Sequence, residues 1–156
     1  MAELNKIADV LQVGISREIE ANVFYNLLSQ YVTNPQISEL CKELAAEELE
    51  HKAKLELEIT KLGQISRPHT SGRQSMPLDY MVDMSKIMQM DYEDLLILAM
   101  TKEKESFRFY VDLLSTIRNR SLRDVLMELA EEEARHKIRF EIQYDMYISG
   151  KKNPPG

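Results

Sequence analysis

Apolar residues recur along this chain at the three- and four-residue spacing of an amphipathic α-helix. Four long segments show this spacing: about Leu4 to Tyr31, Pro35 to Leu62, Asp91 to Ile117, and Ser121 to Ser149. Asn34 and Asp91 are suitable caps for the second and third segments. Gly63 and Gly150 are expected to end the second and fourth, because glycine readily adopts the left-handed conformation found beyond helix ends. The pattern predicts an all-α protein.

The connections between the segments differ greatly in length. Short loops within the first pair and within the second pair predict two antiparallel helical hairpins. Residues 64–90 form a long connection, which can run along a helix of about 40 Å. We therefore expect a four-helix bundle of two αα-hairpins with one long crossover. Residues 78–88 of the crossover are predicted to form a short helix, and we favour its packing on the bundle over packing on a partner subunit. Its apolar side comprises Tyr80, Met81, Met84, Ile87 and Met88.

The two predicted hairpins carry the same polar motif. Each motif residue of the first hairpin recurs in the second at the same separation in sequence, which is the separation between Glu18 and Glu103. Each half has a glutamate, a Phe-Tyr pair two turns later, and a Glu-x-x-His sequence on the next helix. A single Glu-x-x-His sequence is most often an ordinary surface pair on a helix. Two copies at equivalent places of a repeat indicate a shared function.

Both Glu-x-x-His pairs interrupt the apolar stripe of their helix. Glu48 and His51, for example, take positions between Leu44 and Leu55 where further leucines are expected. Converging buried carboxylates are costly unless a cation balances their charge. Glutamates and histidines projecting from facing helices are the ligands of di-iron and di-manganese sites in bundles. The predicted metal ligands are Glu18, Glu48, His51, Glu103, Glu133 and His136.

The first and third helices each offer two candidate glutamates. Glu103 lies on an apolar line of the third helix, whereas Glu105 lies on a more polar one, so we prefer Glu103. The repeat transfers this choice to Glu18, although the first helix alone does not separate it from Glu20. Glu105 remains a possible alternate ligand.

Two tyrosines are expected near the site. Tyr25 and Tyr110 lie two turns beyond Glu18 and Glu103 on the same helix faces. They are candidate catalytic residues that can hydrogen-bond a ligand carboxylate. Glu47 and Glu132, one turn before the histidines, are second-choice ligands.

Composition narrows the class of protein. The 156 residues suffice for a single domain, which we place at residues 1–150 with a disordered tail at 151–156. Hydrophobic residues make up 44% and charged residues 29%, and the net charge of −6 argues against nucleic acid as a partner.

Apolar runs are too short to span a membrane and residues 1–12 do not resemble a signal peptide, so we expect a cytoplasmic protein. The single cysteine, Cys41, is expected to be a buried core thiol.

Over about residues 4–148 the sequence resembles the rubrerythrin branch of the ferritin-like superfamily. The resemblance rests on four stretches: Glu18-Ile-Glu-Ala-Asn-Val-Phe-Tyr25, Glu48-Leu-Glu-His51, Glu103-Lys-Glu-Ser-Phe-Arg-Phe-Tyr110 and Glu133-Ala-Arg-His136. It implies a ferritin-like bundle that holds two iron ions per chain at the six ligands. The carboxylate ligands also suit manganese. The resemblance also implies reduction of hydrogen peroxide or dioxygen with ferrous iron or another donor, and assembly into homodimers or larger oligomers.

The sequence departs from rubrerythrins proper in one respect. Those proteins also carry a rubredoxin-like iron domain with two Cys-x-x-Cys pairs, and this sequence has Cys41 alone. Reducing equivalents are therefore expected from ferrous iron or from an external donor such as a rubredoxin-type protein. Two other functions stay open at this point: an iron-binding or storage protein, and a helical interaction module with a vestigial metal site.

Overall fold

The structure is a computed structural model that describes residues 2–64, 85 and 87–152. These residues contain four long α-helices: α1 (Ala2–Tyr31), α2 (Pro35–Lys61), α3 (Tyr92–Leu114) and α4 (Arg120–Lys152). Ser85 and Ile87 are helical as well, and no residue within the described ranges lies in a β-strand. The prediction of an all-α protein is confirmed. No helix among the described residues has a stretch long and apolar enough to cross a membrane.

The chain divides into two compact units, Met1–Met88 and Gln89–Gly156. α1 packs on α2 in the first unit, and α3 packs on α4 in the second. In the first unit, the Ser38 hydroxyl donates to the Ser29 carbonyl at 2.8 Å, close to the loop. Farther from the loop, Asn22 Nδ2 donates to the Ala45 carbonyl at 2.7 Å, so α1 and α2 run antiparallel as predicted. The assignment of residues 1–150 to one domain stays a prediction.

The second helix of each unit begins with the same cap. The Asn34 side chain accepts hydrogen bonds from the backbone N–H groups of Gln36 at 2.9 Å and Ile37 at 3.3 Å. Asn119 is the equivalent residue in the second repeat, and its side chain accepts from Leu122 N at 3.0 Å. Each asparagine satisfies a backbone donor that the first helical turn leaves without a helical acceptor.

The two helix ends with a predicted glycine behave differently. Gly63 follows α2 with a φ of 77°, which confirms it as a helix-ending residue. Gly150 does not end α4, which continues to Lys152, so that prediction was wrong. The reason is a contact with α3: the Lys151 ammonium donates to Glu93 at 3.2 Å and lies 4.9 Å from the centre of the Tyr147 ring. These two interactions favour a helical last turn, and they oppose the low helix propensity of glycine.

Glu93 connects the start of α3 with the end of α4. Besides Lys151, it accepts a hydrogen bond from the Tyr144 hydroxyl at 3.3 Å. Desolvation and the neighbouring Glu93 charge raise the pKa of Tyr144, and the hydrogen bond to Glu93 raises the pKa of Lys151. Both shifts favour the protonated forms that donate in these contacts.

The buried positions repeat between the units in the same way as the motif. The predicted apolar stripes of α2 and α4 are largely confirmed, with Leu62, Tyr144 and Tyr147 only half-buried at their ends. Phe107 follows Glu103 by four residues on α3, where helical spacing predicts the same apolar side, but it is 36% exposed. Equivalent core residues at the repeat offset include Leu11 and Leu96, Ile37 and Leu122, Leu44 and Leu129, and Leu55 and Phe140.

Most of the predicted crossover helix lies outside the described residues, including Tyr80, Met81 and Met84. Ile87 is helical and buried, in agreement with its predicted position on the apolar side. Met88 lies in a turn and is 68% exposed, so its placement on that side was wrong.

Cys41 is fully buried in α2, as expected, and burial raises the pKa of its thiol to about 12. At pH 8 the thiolate, the form that reacts with disulfide reagents, will therefore be very scarce. We expect the native protein to react with a thiol reagent at least about a hundredfold more slowly than the denatured chain. Absorbance of the released aromatic thiol measures both rates. Fast labelling of the native protein would contradict the buried position.

Candidate metal centre

The first unit holds a buried cluster of Glu18 from α1 with Glu48 and His51 from α2. His51 Nδ1 lies 3.5 Å from Glu18 Oε2 and 3.9 Å from Glu48 Oε1. One donor atom from each residue lies within 4.8 Å of the others, and all three side chains are almost fully buried. Residues three positions apart share a helix face, which is why Glu48 and His51 point the same way between Leu44 and Leu55.

The second unit repeats the cluster with Glu103 from α3 and with Glu133 and His136 from α4. His136 Nδ1 lies 3.6 Å from Glu103 Oε2 and 3.9 Å from Glu133 Oε2. Their donor atoms also lie within 4.8 Å of one another. The equivalent His–Glu distances in the two units are nearly equal, so the sequence repeat is also a repeat of side-chain geometry. We call these clusters the first triad and the second triad.

Each triad has the chemistry of a divalent metal site. Two carboxylates and one imidazole are ligands suited to iron and manganese. Metal–ligand bonds of about 2 Å place neighbouring donor atoms about 3–4 Å apart, as His51 and His136 are from their glutamates. Two buried carboxylates also need a compensating positive charge. The residues present therefore fit a metal ion in each unit.

The candidate glutamates of α1 and α3 differ in how far their side chains are buried. Glu105 is exposed whereas Glu103 is 2% exposed, in line with the choice made from the polarity of α3. On α1, Glu20 is half-buried and Glu18 is 2% exposed, which distinguishes two residues that the sequence of that helix left ambiguous.

Tyr25 and Tyr110 are both buried, two helical turns beyond Glu18 and Glu103. Each ring packs edge-on against the preceding phenylalanine. The ring centres are 5.1 Å apart for Phe24 and Tyr25, and 5.3 Å apart for Phe109 and Tyr110. This packing fixes the direction of both phenol rings.

A further buried carboxylate, Glu58, escaped the sequence analysis. It lies two turns after His51 on α2 and is 4% exposed. Lys61 Nζ lies 3.0 Å from its carboxylate and balances its charge. The equivalent residue in the second half is Gln143, so the repeat gave no signal for an acidic residue at this position.

Comparison with known proteins defines the family. A sequence profile of rubrerythrin matches residues 9–144, which include both triads and both tyrosines. The chain therefore belongs to the rubrerythrin family, as the motifs predicted. No curated protein matches the sequence significantly.

Two solved structures resemble the whole chain. A hypothetical protein from Pyrococcus furiosus aligns with a TM-score of 0.68 and 23% identity, covering 94% of this chain and 96% of that one. A bacterioferritin from Desulfovibrio desulfuricans, described with a diiron site in different catalytic states, aligns with a TM-score of 0.75 and 16% identity. That alignment covers 97% of this chain and 82% of the bacterioferritin. At these identities the likeness shows the fold alone, and it confirms the predicted ferritin-like four-helix bundle.

Proposed function

We propose that this protein is a di-iron carboxylate oxidoreductase that reduces hydrogen peroxide or dioxygen. The observation that carries the proposal is the pair of buried Glu-Glu-His triads with nearly equal internal distances. Membership of the rubrerythrin family supports a centre with two iron ions, with manganese as the other candidate. The proposed ligands are Glu18, Glu48, His51, Glu103, Glu133 and His136.

Two ferrous ions held by the six ligands would supply the two electrons that, with two protons, reduce one hydrogen peroxide to two waters. The residues of the chain provide the surroundings. The almost complete burial of both triads keeps bulk water from the ligand atoms and strengthens their attraction for cations. We propose that the Tyr25 and Tyr110 hydroxyl groups orient ligand carboxylates and hold protons near the reacting oxygen atoms.

Electrons reach the site from ferrous iron itself or from an external donor protein, in this proposal. Cys41 is the only cysteine of the chain, so a second iron site with four cysteine ligands is excluded within this sequence.

The predicted homodimer and the cytoplasmic location stay predictions. Sedimentation of the purified protein tests the first, and localisation of the tagged full chain tests the second.

The experiment that tests the function is anaerobic reconstitution with Fe(II), followed by addition of hydrogen peroxide. We expect about two irons per chain and a new near-ultraviolet absorption of ferric ions, formed with one peroxide consumed per two irons. Absence of bound iron would refute the di-iron centre. Iron binding without oxidation would refute the oxidoreductase, and a large cage-like assembly that accumulates ferric mineral would indicate iron storage instead.

A further inference from the structure

The second unit has an apolar pocket with a basic rim between α3 and α4. Its volume is about 450 Å³. We call this feature the α3–α4 groove, and its lining residues are Lys104, Phe107, Arg108, Ala134, Lys137 and Ile138. Phe107 and Ile138 are 36% and 51% exposed, although both are large and apolar. The apolar surface continues along the same helices with Val111, Ile142 and Met146.

The groove lies on the same helical turns as the second triad. Lys104 and Phe107 follow Glu103 within one turn of α3, and Ala134 and Lys137 directly follow Glu133 and His136 on α4. The triad side chains themselves are at most 5% exposed. A macromolecular electron donor therefore cannot contact the ligands directly. The groove is lined by residues that directly follow three of the ligands in sequence, Glu103, Glu133 and His136.

The chemistry of the groove indicates an acidic partner. Neither Lys104 nor Arg108 forms an ion pair with any residue that the structure describes, and both are exposed. Lys137 pairs with Glu141, and no acidic residue lines the pocket. This basic surface belongs to a chain whose net charge is −6. An exposed aromatic residue beside an arginine, with charges around an apolar centre, is the usual composition of a protein-binding surface.

The first unit serves as an internal comparison. The residues equivalent to Lys104, Phe107 and Arg108 are Ile19, Asn22 and Val23. Asn22 is used there for a hydrogen bond to the Ala45 carbonyl, which links α1 to α2. The two units share their core positions and their triads, but not this combination of cations and exposed aromatic. Packing of the hairpin therefore does not require it.

We propose that the α3–α4 groove is the docking site for a small acidic electron-transfer protein that carries one electron at a time. In this complex, an apolar patch of the partner covers Phe107 and Ile138, and carboxylates of the partner contact Lys104 and Arg108. Two successive encounters deliver two electrons and oxidise two donor molecules by one electron each. Together with two protons, these electrons convert one hydrogen peroxide to two waters. The electron-transfer role rests on the proposed function, whereas the docking surface can be tested without it.

The first test measures binding to the metal-free protein by calorimetry at low salt, with an acidic one-iron rubredoxin as the probe. We expect the double substitution Lys104→Glu with Arg108→Glu to raise the Kd at least about tenfold, and added salt to weaken the wild-type complex. The matched control is the double substitution Lys42→Glu with Lys52→Glu, which reverses the same number of charges on α2. Lys52 is the repeat equivalent of Lys137, pairs with Glu56 at 3.1 Å, and has a similar side-chain exposure of 32% against 35%.

Equal weakening by Lys42→Glu with Lys52→Glu would show a general charge effect and overturn the proposed site, as would an absence of probe binding to the wild type. A second test uses Phe107→Ser and measures the oligomeric state by sedimentation. Weaker probe binding with an unchanged oligomer supports the proposal. Conversion of an oligomer to monomers would show that the groove joins copies of this chain, which overturns it.

Reduction experiments on the iron-loaded protein distinguish a failure of the docking site from a failure of the proposed function. A small neutral reductant followed by peroxide tests the di-iron chemistry alone, and the wild type and the double variant should respond equally. Reduced probe should transfer electrons to the double variant at least about tenfold more slowly than to the wild type. Equal rates with the probe would refute the docking site, whereas failure with both reductants would refute the proposed function.

Discussion

Replacing Glu133 with Ala will lower the iron bound per chain from about two to one or fewer. Glu133 is fully buried and belongs to the second triad, 3.9 Å from His136 Nδ1. Alanine removes a charged ligand, and the adjacent Glu132, a second-choice ligand, is only half-buried and points about 100° away around the helix. The measurement is colorimetric iron analysis after anaerobic loading and gel filtration. Peroxide-dependent oxidation should fall by at least about a hundredfold, because both electrons must be available together.

Glu131→Ala is the matched control for this substitution. Glu131 lies two residues earlier on α4, has a side chain that is 67% exposed, and pairs with Arg135 at 3.8 Å. Its replacement should leave two irons per chain, since a single exposed pair contributes little. His136→Ala should behave like Glu133→Ala, and Glu48→Ala should do the same in the first triad. Full iron content in all three triad variants would favour a helical module with a vestigial site.

Glu48→Gln will make the metal-free protein more stable and the metal-loaded protein less stable than the wild type. Glu48 is 1% exposed and shares the first triad with a second buried carboxylate, Glu18. Without a cation these charges repel each other at neutral pH, so a neutral amide should raise the free energy of unfolding by about 1–2 kcal/mol. With a metal present, the same amide is a weaker ligand than the carboxylate.

Thermal unfolding with and without Mn(II) measures both effects. Metal at about a hundred times its Kd should stabilise the wild type by about 2.7 kcal/mol for each ion, and should raise its Tm by about 5–10 °C. Glu48→Gln should lose most of this increase while showing the higher Tm without metal. The control is Glu47→Gln, because Glu47 is half-buried and lies outside the triad. A Glu48→Gln protein that is less stable without metal would mean that Glu48 has a structural role instead.

The core and the triads were predictable because they depend on periodicity. A residue on the apolar face of a long helix is buried almost regardless of what surrounds it, so the interruption of the stripe by Glu48 and His51 was a strong signal. The choice of Glu103 over Glu105 followed from the same reasoning. On α1, where both faces contain apolar residues, the sequence alone could not decide, and only the repeat favoured Glu18 over Glu20.

The details that escaped prediction depend on contacts between residues distant in sequence. Gly150 was expected to end α4, but Lys151 binds Glu93 more than fifty residues earlier in the chain, and no local rule anticipates this contact. Phe107 lies on a line with buried residues, yet it borders the groove and is exposed. The cap at Asn119 was predictable, because Asn119 is equivalent to the capping residue Asn34 at the repeat offset.

Two halves with equivalent interiors and different exteriors are the pattern that tandem duplication of a gene for one helical hairpin produces. In an ancestor encoded as one hairpin, two identical copies would have paired. A substitution of a surface residue would then have appeared on both hairpins of the pair. Fusion into one chain removes that symmetry, so that one half can carry Lys104, Phe107 and Arg108 while the other carries Ile19, Asn22 and Val23. The two halves thus share their interior residues by inheritance, whereas the surface residues of each half can specialise separately.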